Sequence, residues 1–101
     1  MIEVIEHEGH TIAVGRYQRK DVVPLDVIRD WPKTDGYILL LSAGDENKIT
    51  HGVYQPGGEE AAYVFRTQGK SLKWNGLPPQ WVLSLIHKLT GLPAIGETPT
   101  G

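Results

Sequence analysis

A chain of 101 residues is one ordinary domain, and at that size folding hides roughly 60–70% of the unfolded surface, enough for a single modest core. Twelve Asp and Glu against ten Lys and Arg leave a formal charge of −2, which excludes a strong field of one sign around the whole molecule. Cysteine is absent, which excludes disulfides, thiolate metal sites and a cysteine nucleophile, and apolar runs such as residues 38–41 are far too short to cross a bilayer.

The first six residues have neither the basic stretch nor the apolar run of a secretory leader, so a cytoplasmic protein without membrane contact is expected. Residues 2–5 are mostly β-branched and residues 11–17 alternate, with Ile12 and Val14 on one face. Glu8-Gly9 between them predicts a β-hairpin. A polar, basic stretch follows. Asp21 as a cap, Pro24 in the first turn, Leu25, Ile28 and Trp31 at helical spacing, and Pro32 as a stop predict a first helix.

Asp35-Gly36 reads as a turn, and the apolar run that follows it reads as a strand covered on both faces. Residues 44–47 read as a hairpin loop. Residues 49–55 alternate, which puts Ile49, His51 and Val53 on one side. Residues 56–60 read as a loop, residues 61–67 as a strand and residues 71–74 as a short return strand after a turn at Gly69. Residues 75–79 then break the sheet. Val82, Leu85, Ile86 and Leu89 form an apolar stripe along a second helix, which Gly91 closes.

These elements predict an α+β fold: an antiparallel sheet of about five or six strands with two helices, the C-terminal one packed on the sheet. Residues 1–92 make the domain and residues 93–101 a flexible tail.

Chemistry-bearing patterns are sparse. His7 and His10 flank the first turn beside Glu6 and Glu8, His51 joins them if its strand pairs nearby, and His7, His10 or His51 with a nearby glutamate is the candidate set for a metal-dependent or histidine-dependent hydrolase. No fixed ligand spacing accompanies them. Asp45-Glu46 and Glu59-Glu60 are neighbours on loops and form no catalytic pair. Neither phosphate-cradling glycine motif is present, and Ser42, Ser71 and Ser84 lack a nucleophile context. No metal, cofactor or catalytic residue is assigned on these grounds.

Basic and aromatic residues interleave twice, at Arg16, Tyr17, Arg19 and Lys20, and at Arg66, Lys70, Lys73 and Trp74. Cationic side chains pair with phosphates, and an exposed ring stacks on a base. Residues 63–65, then Trp74-Asn75-Gly76, Pro79 and the last helix resemble the DNA-binding domain of the H-NS family of bacterial nucleoid proteins. That family likewise places a short hairpin before a tryptophan, a glycine, a proline and a helix. The resemblance covers about thirty residues, lacks the family's arginine-bearing glycine loop, and has no counterpart in the preceding two-thirds of the chain.

The leading expectation is a non-catalytic interaction module, a small regulatory or accessory protein. It would bind a protein or nucleic acid through a basic edge made of Arg16, Tyr17, Arg19, Lys20, Lys70, Lys73 and Trp74. A small hydrolase using the histidines and a structural subunit of a homo-oligomer are the other two readings.

Overall fold

The computed structural model describes residues 2–18, 33–42, 48–57 and 62–94. Six strands, β1 (Ile2–His7), β2 (His10–Gln18), β3 (Gly36–Ser42), β4 (Ile49–Pro56), β5 (Tyr63–Gln68) and β6 (Ser71–Trp74), pair in chain order into one sheet. A single helix among the described residues, α1 (Gln80–Thr90), follows β6.

The sheet is mixed, not antiparallel as the sequence predicts. β2 and β3 run parallel, from Ile12 opposite Gly36 to Gln18 opposite Ser42, while every other neighbouring pair is antiparallel. Parallel neighbours need a connection of a dozen or more residues. The stretch between β2 and β3 is long enough for one, whereas the other strands are joined by shorter connections. The two-helix expectation is likewise replaced by one described helix. The predicted helix over residues 21–31 lies outside the described residues, as do the loops over 44–47 and 58–60.

Register assigns every strand residue to a face. On the α1 side, Ile5 lies beside Ile12 and Gly36, Val14 beside Ile38 and Tyr54, and Leu40 beside Gly52, Phe65 and Trp74. These rows form the core together with Val82, Leu85 and Ile86 from α1. Full burial of three such helix side chains contributes about 1.5–3 kcal/mol each. The helix begins at Pro79, whose fixed φ suits entry, and ends at Gly91. There φ is 76°, and the Gly91 N–H donates to the His87 carbonyl at 2.8 Å.

Gly52 is required by close approach. A β-carbon there would meet the Phe65 ring and lie 2.6 Å from the Leu39 carbonyl oxygen. The Phe65 ring fills the space above this glycine and packs on Trp74, with ring centroids 4.7 Å apart.

An irregularity between Leu41 and Ser42 shifts the β3–β4 register, so Ser42 pairs with Ile49 while Leu41 pairs with His51. The bulge adds one residue to β4 and breaks its period of two. Ile49 therefore points into the core, and His51 and Val53 point to the other face, against the expectation that all three share a side. At the end of the chain, the Leu72 N–H donates to the Pro93 carbonyl at 2.9 Å and Ala94 bridges to Leu72. Pro93 and Ala94, placed in the tail by sequence, thus run beside β6, and residues 95–101 lie outside the described residues.

Candidate functional site

The face of the sheet turned away from α1 carries a row that crosses five strands. Tyr17 of β2 pairs with Leu41 of β3, Leu41 with His51 of β4, His51 with Arg66 of β5, and Arg66 with Lys73 of β6. At about 4.8 Å between strands the row is about 19 Å long. Arg66 is exposed, while His51, Lys73 and Tyr17 are half-buried. A cleft of about 330 Å³ lies at its basic end, lined by His51, Arg66, Lys73, Val64 and Asn75 among others.

The cleft has a built floor. The Val64 N–H donates to the Asn75 side-chain carbonyl at 2.9 Å, and the Asn75 N–H donates back to the Val64 carbonyl at 3.0 Å, which continues the hairpin one residue beyond β6. Val64 stays 42% exposed beside it. Thr50 orients His51. The Thr50 hydroxyl donates to the Leu41 carbonyl at 3.2 Å, so it accepts from His51 Nδ1–H at 3.1 Å. That fixes the tautomer and leaves Nε2 as the ring's acceptor.

Arg66 and Lys73 stand directly opposite one another. Like charges so placed repel, and Lys73 has a further partner that helps to hold it there. Lys70, at the tip of the β5–β6 hairpin, lines a separate cleft with Ile49, Thr90 and Leu92 on the α1 side. Around these residues the sequence is one-sided: between residues 61 and 96 the chain has Arg66, Lys70, Lys73 and Lys88 and no Asp or Glu. That asymmetry, hidden by the near-neutral total, is the signal that marks this face from sequence. Leu41, His51 and Arg66 are the members of the row that the predicted basic edge does not include.

The other predicted residues of that edge are dispersed. Arg16 is exposed on the α1 side of β2, and β3, β4 and β5 separate β2 from β6. Arg19 and Lys20 lie outside the described residues. Trp74 is 4% exposed in the core, and its indole N–H is buried without an acceptor, so packing alone holds the ring.

The histidines do not converge. His7 and His10 pair across the first hairpin on the α1 side, while His51 is on the opposite face. Among the described residues no group of three His, Cys, Asp or Glu is placed to hold a metal. His7 does meet a serine: its Nε2 lies 3.1 Å from Ser84 Oγ, and also 3.1 Å from Glu8 Oε2. A carboxylate only accepts, so Nε2 carries the proton and donates. A nitrogen that is donating cannot take the serine's proton, and the pair lacks the base role a nucleophilic serine needs.

No family model, no curated protein and no solved structure matches this chain. Among the described residues no helix is long and apolar enough to cross a membrane.

Proposed function

We propose that this chain is a non-catalytic interaction module that binds single-stranded nucleic acid along the sheet face opposite α1. The observation that supports this reading most is the cross-strand row Tyr17, Leu41, His51, Arg66 and Lys73. Arg66 and Lys73 supply charge at one end for phosphates. His51 and Tyr17 supply rings further along, and Leu41 and Val64 supply apolar surface for base faces. A broad sheet surface suits an extended strand whose bases are splayed, as no described element of this face projects far enough to enter a duplex groove.

The test is fluorescence anisotropy of the full chain with a labelled oligothymidylate and a labelled duplex, across a salt series. Binding to the single strand should weaken linearly in log–log form, with a slope of about −0.7 for each phosphate neutralised. Arg66→Gln and Lys73→Gln should each reduce that slope by about 0.7. A protein that fails to bind the oligonucleotide even at low salt refutes the reading. Preference for an acidic polypeptide over both nucleic acids would move the same face to a protein partner.

A further inference from the structure

A second surface lies on the opposite side of the sheet, at the end where α1 begins. A cleft of about 400 Å³ opens there between His10, Asp35, Tyr54, Tyr63, Pro79 and Trp81, with Pro56 and Gly57 at its edge. Its walls are almost all rings. Tyr54 and Tyr63 have centroids 5.9 Å apart at 23°, and Trp81 meets Tyr54 at 5.9 Å and 82°. The His10 ring lies flat on Trp81, 3.8 Å away at 5°, and fixes the indole's orientation.

Asp35 is built into the rim. Its N–H donates to the Thr11 carbonyl at 2.8 Å, and its carbonyl accepts from the Gly57 N–H at 2.6 Å. Its carboxylate Oδ2 accepts from the Thr11 N–H at 3.0 Å and lies 3.4 Å from His10 Nδ1. Backbone carbonyls of Thr34 and Asp35 sit so close to Gly57 that no side chain fits there. The carboxylate is nevertheless 53% exposed. Among the described residues no Lys or Arg lines the cleft.

We infer that this cleft binds a proline-rich segment of a partner protein in the polyproline II conformation, with an arginine or lysine of that segment on Asp35. Four features select this occupant. Flat aromatic and pyrrolidine walls match proline rings. A polyproline II strand makes no internal hydrogen bonds, so its carbonyls are available to donors on the wall. Trp81 and Tyr63, both in the lining, carry an indole N–H and a hydroxyl that are such donors. The charge that Asp35 places at the rim is negative, which favours a basic residue and disfavours an acidic one. A caged organic cation fits less well, because His10 already covers one face of Trp81 and Tyr54 is only 3% exposed.

The experiment follows the tryptophan indole N–H resonances of the full-length protein while an arginine-flanked oligoproline peptide is added. Saturable movement of the Trp81 signal, with the Trp74 signal still, is the expected result. A glutamate-flanked oligoproline should bind more weakly, and Asp35→Asn should bring the two peptides together, a change of up to about fivefold for a partly exposed charge. Asn retains the contact with the Thr11 N–H, so the fold is preserved. Tyr63→Ser, checked by an unchanged Trp74 signal, should weaken both peptides. Absence of saturable movement overturns the proposal. So does equal binding of an arginine-flanked glycine-serine peptide, because the cleft would then read charge alone. Neither result bears on oligonucleotide binding, which uses the other face.

Discussion

At the first turn, Glu8 and Gly9 both have positive φ, 50° and 83°. This is the pairing of a two-residue hairpin whose twist matches its strands, and it favours Asn-Gly over Glu-Gly. A non-glycine residue in that region costs about 1 kcal/mol, and asparagine is among the few that tolerate it. The Glu8–His7 contact that opposes the change is half exposed and therefore weak. Glu8→Asn should raise the melting temperature by a few degrees, on the order of 4–8 °C for 1 kcal/mol in a domain this small, read by thermal denaturation. An unchanged or lowered midpoint would show that the Glu8 contact outweighs the strain. Gly52 carries the opposite expectation. Gly52→Ala forces a methyl against the Phe65 ring and the Leu39 backbone, and urea unfolding should report a loss of about 1–3 kcal/mol.

Among the elements, α1 was the most legible, because its stripe repeats at the helical period and a glycine follows it. Leu85 is fully buried under that helix, so Leu85→Ala should cost about 2–5 kcal/mol in urea unfolding. A loss under 1 kcal/mol would mean that α1 contributes little to the core. The strands were legible too, since alternation and turn residues bound each one. Their pairing sense was not. A strand that alternates does so whether its neighbour runs parallel or antiparallel, and the polar stretch after Tyr17 says nothing about direction. The side of His51 was hidden for a related reason. Parity counts from Ile49 fail once the bulge opposite Ser42 adds a residue, and nothing in residues 49–51 announces it. That shift moves His51 from the expected core side to the row beside Arg66, so the candidate site was out of reach of strand counting.

Taken as one body, the molecule separates its charge. Residues 61–96 hold four Lys and Arg and no acid, so the rest of the chain is strongly negative although the whole is near neutral. Glu3 and Glu6 are exposed on β1, four strands from Arg66 on β5 and three and six residues away along the register, which at sheet spacings is about 22 and 28 Å. At those distances in water a pair of unit charges interacts by about 0.2 kcal/mol before screening. Two carboxylates acting on two bound phosphates therefore oppose binding by just under ~1 kcal/mol before screening. The Debye length is about 30 Å at 0.01 M salt and about 8 Å at 0.15 M. Replacing both glutamates by glutamine should then tighten oligothymidylate binding by up to about twofold in the dilute buffer and leave it unchanged at physiological salt. Arg66→Gln should weaken binding under both conditions, because its phosphate lies within contact distance. If the distant glutamates mattered as much at 0.15 M as at 0.01 M, the nucleic acid would have to lie on β1 rather than across the β5–β6 hairpin.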